Sequence, residues 1–206
     1  MTEKDTYKTL TEPSAEVLFK DKNSKFYGYA FPVKTEDDVK TQLEMIKKQH
    51  HSARHWCYAY QLGIHENQYQ FRVNDDGEPN NSAGMPIYGQ IQSYEVTNVL
   101  IIVARYFGGV KLGVGGLINA YKTAAQMALE HSKIITKTIN QDIQLKFEYK
   151  DMNKVMRVIK EKDLKITNQT LELSCIINIS VRLKKTKSVL ETFESIYGVG
   201  IKILND

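Results

Sequence analysis

The sequence predicts an α+β protein of two domains, the second a ferredoxin-like βαββαβ unit. Short segments of alternating apolar residues are interleaved along the chain with apolar stripes of helical period. From residue 142 onward they fall in the order strand, helix, strand, strand, helix, strand. The run "VTNVLIIVARYF" is apolar almost without a break, as a buried central strand should be. A chain of 206 residues is long enough for two small domains with substantial cores.

After a charged N-terminus, "SAEVLF" and "KFYGYAFPV" read as a strand pair joined through "KDKNS". Thr35 is placed to cap a helix carrying Val39, Leu43 and Ile46, with Glu36, Asp37 and Asp38 in its electropositive first turn. "HWCYAYQLG" and "NQYQFRV" are the next strands, the latter alternating Tyr69, Phe71 and Val73. "NDDGEPNNSAG" is a turn segment, Asp-Gly and Glu-Pro being strong turn dipeptides, and puts Ser82 near the start of a short helix. The apolar run follows, then a glycine-rich stretch, then "LINAYKTAAQMALEHSK", an alanine-rich helix with Lys133 near its end. Residues 136–141, "TKTINQ", are the expected linker, giving domains of 1–135 and 142–206.

In the second domain Ile143, Leu145, Phe147 and Tyr149 alternate on one strand face. Met152, Val155, Met156 and Ile159 then form one helical stripe. "LKITNQTLELSCIINISVRL" holds two strands, the second alternating through Ile177, Ile179, Val181 and Leu183. Val189, Phe193, Ile196 and Tyr197 make a second stripe, with Gly198 as the residue that closes the helix. Val199, Ile201 and Ile203 supply the last strand.

Hydrophobic content of 42% and charged content of 25% are ordinary for a soluble globular protein. The net charge of +4 is compatible with a polyanionic partner without requiring one. Up to Asn140 there are 16 basic against 15 acidic residues and beyond it 12 against 9, so the excess leans towards the C-terminal third. Cys57 and Cys175 fall in different predicted domains and neither has a CxxC neighbour, so no disulfide framework or zinc cage is indicated. The N-terminus has no apolar signal region, and the longest apolar run, Val99 to Ala104, is too short to span a bilayer. The expectation is a cytoplasmic protein that avoids membranes and uses neither cofactor nor metal, of open oligomeric state.

Five of the twelve glycines lie in "RYFGGVKLGVGG", residues 105–116, between the buried strand and a helix N-terminus. Orphan N–H groups and the helix dipole can hold a phosphate or carboxylate there. Neither common phosphate fingerprint fits. Gly108 and Gly113 have the Walker A spacing, but Val114 and Gly115 stand where lysine and a hydroxyl belong; Gly113 and Gly115 begin a Rossmann loop that Ile118 breaks. Two readings stay open: an anion nest flanked by Arg105 and Lys111, or a loop that only turns and packs closely. In the acidic turn, Asp75, Asp76 and Glu78 can bind a hard cation or serve as acid and base, although turn formation alone explains them. His55 and Cys57 share a strand face and can form a nucleophile–base couple, whereas His50 and His51 suit a helix C-terminus.

Together, "SKFYGYAFPV", "ARHWCYAYQLG", "NDDGEPNNSAGMPI" and "VLIIVARYFGGVKLGVGGLINAYKTAA" resemble the impact/YigZ family from about Ser14 to Ala125. Asp76, Gly77, Glu78 and Pro79 match its pattern, while Arg54 and "NNSAG" depart from it. The resemblance implies an N-terminal domain with the fold of a ribosomal small-subunit protein's second domain and of elongation factor G domain IV. It implies a C-terminal domain like that factor's domain V. It also implies a role in translation, since eukaryotic relatives bind an activator of the amino-acid-starvation kinase.

The leading expectation is therefore a non-enzymatic, translation-associated protein of the stress response that binds the ribosome, RNA or a ribosome-bound factor. Arg105 and Lys111 would contact phosphates; Gly108, Gly109, Gly113, Gly115 and Gly116 would dock the backbone closely; Tyr106, Phe107 and Tyr121 would stack or pack. The alternatives are an enzyme acting on a small phosphorylated metabolite or nucleotide, using His55, Cys57, Asp76 and Glu78, and a purely protein-binding module.

Overall fold

The computed structural model describes residues 4–204, which form two compact units, residues 7–137 and residues 4–6 with 138–204. The chain opens with β1 (Thr6–Leu10), β2 (Val17–Asp21) and β3 (Ser24–Pro32). Then come α1 (Glu36–Gln49), β4 (His55–Leu62), β5 (Gln70–Asn74), α2 (Gly84–Ser93), β6 (Val99–Tyr106), α3 (Gly113–Glu130) and β7 (Ile134–Thr138). An antiparallel sheet in the order β2–β3–β6–β4–β5 lies between α1 on one face and α2 with α3 on the other, and β1 pairs with β7.

Local chemistry explains the elements. The β2–β3 hairpin turns on Lys22 and Asn23, both at positive φ (42° and 66°), the backbone twist that two-residue hairpins favour. At α1 the Thr35 hydroxyl accepts from the Asp38 N–H (3.1 Å) and the Asp38 carboxylate accepts from the Thr35 N–H (3.0 Å), closing a capping box. β6 is central, antiparallel to both β3 and β4. Its alternation sends Val99, Ile101 and Val103 into the core under α2 and α3, and Leu100, Ile102 and Ala104 into the one under α1. α3 meets the sheet through Ala120, Tyr121, Ala124 and Ala128. A Cβ on Gly28 would come within 2.7 Å of the Ala124 carbonyl oxygen, so helix and strand approach closely there.

Beside α1, His50 is buried, with Nε2 2.5 Å from the Tyr29 hydroxyl and Nδ1 3.1 Å from the Tyr106 hydroxyl. The Tyr29 hydroxyl donates to Glu16, whose carboxylate lies 3.8 Å from Nε2. Burial holds the His50 pKa below the ordinary imidazole value, against a smaller opposing pull from Glu16. Below an unfolded pKa of about 6.5 the unfolded chain takes up a proton here that the native state resists, so stability falls as pH drops through that value. We expect His50→Gln to flatten the decline in urea stability between pH 7 and pH 5; an unchanged slope would refute this origin.

The second unit contains β8 (Asn140–Glu148), α4 (Met152–Glu161), β9 (Lys165–Thr170), β10 (Ser174–Arg182), α5 (Thr186–Glu194) and β11 (Gly200–Leu204). Its antiparallel sheet runs β11–β8–β10–β9, the strand order of a split βαβ fold, over a core including Ile143, Leu145, Ile177, Val189 and Phe193. Some details differ from the sequence reading: Leu183, expected in the strand alternation, begins a short 3₁₀ turn after β10. α5 ends at Glu194, leaving Tyr197 almost wholly exposed, and Gly198 (φ 90°) lies in the turn into β11. Tyr149 likewise leaves the strand for a short 3₁₀ turn. Residues 136–141, expected as a linker, mostly belong to β7 and β8, so pairing occupies their backbone. Asp5 also belongs with this unit, accepting from Arg182 Nε (2.6 Å) and Lys184 Nζ (3.0 Å).

Candidate functional site

The candidate site is built from the acidic turn after β5, the start of β4 and the glycine loop after β6. Asp75 caps α2 in place of a hydroxyl: its carboxylate accepts from the N–H groups of Asn81 (2.9 Å), Ala83 (3.0 Å) and Gly84 (2.8 Å). Asp76 turns at φ 43°, its carboxylate accepts from the Trp56 N–H (2.7 Å), and its carbonyl accepts from His55 Nδ1–H (2.8 Å). The Cys57 thiol donates to the Asp75 carbonyl (3.0 Å). Backbone and turn thus fix one another and aim two side chains, His55 and Glu78.

Glu78 is buried, and its Oε1 accepts from Arg105 Nη1 (2.5 Å) and from the Tyr121 hydroxyl (2.7 Å). The Arg105 guanidinium lies 5.5 Å from the Phe26 ring and 5.6 Å from the Phe107 ring, within cation–π range of both. Arg105 Nε is buried and has no acceptor among the described residues. His55 is paired across the sheet with Arg105, and its Nε2 is 3.9 Å from Glu78 Oε1.

His55, Glu78, Arg105 and Phe107 border a cavity of about 450 Å³, completed by Arg54, Lys111, Pro79, Leu112 and residues of the first turns of α3. Arg54 and Lys111 are exposed at this cavity. α3 starts without a side-chain cap, so the N–H groups of its first turn carry their partial positive charge beside Gly113 and Val114 in the cavity lining.

The glycines divide by role. A Cβ at Gly108 would run into the backbone of Asn23 and Ser24, so that glycine permits contact with the hairpin turn. Gly109 and Gly113 have φ of 88° and 74°, backbone that disfavours other residues. Gly115 is open to solvent and Gly116 lies against Leu112.

His55, Glu78, Arg105, Phe107, Lys111 and Gly113 are thus brought together, but several expected roles change. Arg105 is buried in a pair with Glu78 and does not present its charge to an external phosphate. Of the two roles expected for Tyr121, it packs, fully buried against Phe26, and does not stack on a partner. Tyr106 projects from the other sheet face, towards His50 and Tyr27. Burial pushes the Cys57 thiol pKa far up, which suits a packed side chain and not a nucleophile. The Asp76 carboxylate is committed to backbone, and no cluster of three or more His, Cys, Asp or Glu among the described residues is arranged for a metal ion. Arg54, which the sequence reading noted only as a departure from the family pattern, joins the cavity; its position next to His55 was the available signal. No helix among the described residues is long and apolar enough to cross a membrane.

Fold and site define a two-unit α+β protein with a cationic cavity at a glycine loop. Residues 22–129 match the Impact N-terminal domain, and the chain belongs to the IMPACT family. It is 33% identical to the IMPACT family member YvyE of Bacillus subtilis over 156 residues, covering 76% of this chain and 70% of that one. To YigZ of Escherichia coli it is 29% identical, covering 80% of each chain. The solved structure of a hypothetical protein shares the fold, with a TM-score of 0.71 at 24% identity over 98% of this chain and 99% of that one.

Proposed function

We propose that this is a translation-associated binding protein whose N-terminal unit engages RNA, on the ribosome or beside a ribosome-bound factor, at the glycine-loop cavity. The translation link is what the family resemblance implies. One observation carries the RNA reading: exposed Arg54 and Lys111 meet the uncapped N-terminus of α3 at a cavity whose one carboxylate, Glu78, is already neutralised by Arg105. Such a site is electrically free to accept a phosphate. Phe107, 42% exposed in the lining, offers a face for a base.

Co-sedimentation with ribosomes and isolated subunits across a salt series tests this. Binding should weaken as salt rises, because phosphate contacts release counterions, and Arg54→Ala with Lys111→Ala should abolish it. No binding at low salt would refute the proposal. A second reading, a protein partner, is favoured by Val110, Val114 and Ile118, apolar yet 47%, 53% and 39% exposed on the loop and α3. Its signature is ribosome or factor binding that salt leaves unchanged and that Val114→Asp removes.

A further inference from the structure

We propose that the cavity holds one nucleotide, with its phosphate at Lys111 and Arg54 and an amino group of its base between His55 and Glu78. The inference rests on the reading that this cavity takes a phosphate, and it adds which ligand is selected.

The two polar regions of the lining ask for different chemistry. Lys111, Arg54 and the first turn of α3 call for an anion. Elsewhere in the lining, His55 Nδ1 must carry a hydrogen, because its partner, the Asp76 carbonyl, can only accept. In the neutral imidazole Nε2 is then an open acceptor, 3.9 Å from Glu78 Oε1, whose own lone pairs are taken by Arg105 and Tyr121. An amino group placed there donates one N–H to Nε2 and turns its other hydrogen towards the Glu78 carboxylate. A carbonyl oxygen placed there would be repelled by both.

Phe107, Leu112, Val114, Leu117 and Pro79 form apolar walls suited to a flat ring. A volume of about 450 Å³ is within the range of small-ligand sites. Arg105, its side chain 6% exposed, borders the cavity and neutralises Glu78, so the carboxylate there does not repel an anionic ligand. A flat heterocycle with an amino group and a phosphate is a nucleotide, free or as a unit of RNA.

Equilibrium binding to the full chain should be compared for adenosine monophosphate, purine riboside monophosphate (which lacks the amino group), inorganic phosphate and an adenine oligoribonucleotide. Adenosine monophosphate should bind about tenfold tighter than the amino-less analogue, the worth of one hydrogen bond from the base to His55. His55→Ala should erase that ratio, and Lys111→Ala should weaken both nucleotides alike. A thermal melt checks that each variant is folded, with His55→Gln as the alternative if His55→Ala is not. Equal binding of the two nucleotides, or inorganic phosphate competing as well as adenosine monophosphate, would overturn the inference. Salt-sensitive oligonucleotide binding without amino discrimination overturns the inference and leaves the RNA reading standing. Amino discrimination without RNA or ribosome binding supports the inference and overturns that reading.

Discussion

Replacing Glu78 with alanine is expected to destabilise the N-terminal unit by about 3–5 kcal/mol, because it strands the buried Arg105 charge. The Tyr121 hydroxyl, fully buried, would lose its acceptor in the same step. The chain's one tryptophan, Trp56, lies in this unit and donates its backbone N–H to Asp76, so its fluorescence during urea unfolding reports the change. Removing both charges with Glu78→Leu and Arg105→Met should recover much of the loss, since an apolar pair avoids the desolvation of two ions. A loss below about 1 kcal/mol for the single variant would mean that water reaches Arg105 readily and the pair is not buried in solution.

Gly108→Ala is expected to destabilise by at least about 1–3 kcal/mol, because the new methyl group would meet main chain at Asn23 and Ser24 and not a side chain that can swing away. The hairpin turn or the loop would have to move, and with it Phe107. Gly115→Ala should do the reverse. It lies in the first turn of α3 with no atom within 4 Å of the new Cβ, so alanine should stabilise by roughly 0.5–1 kcal/mol through helix propensity and a less free unfolded chain. Chemical denaturation of the two variants separates a packing glycine from a permissive one. Effects of the same sign would contradict that division.

Much of the fold is legible in the sequence because burial there is periodic. The alternation of Ile177, Ile179 and Val181 becomes the inner face of β10, and Thr35 caps α1 as its position before three acids requires. β1 and β7 escape such reading, for "TYKTL" and "IITKT" are short and part polar, and they are strands because they pair with each other. The site is legible in its members and less so in their roles. Arg105 looks like a free cation beside glycines, yet it continues the inward series Ile101, Val103 and so had to be buried with a counter-ion. The same parity turns Tyr106 to the far face. The counter-ion, Glu78, lies 27 positions away, and only the β4–β6 register brings its turn alongside.

The attachment of Asp5 to Arg182 spans 177 positions of sequence within one unit. A chain emerging from a ribosome completes the unit of residues 7–137 while most of β8 to β11 is still unmade, so that unit can fold first. The entropy of closing so long a loop grows only with the logarithm of its length, so delay adds little to the cost of the last contact. Asp5 therefore works as a latch that only a chain extended past Lys184 can close.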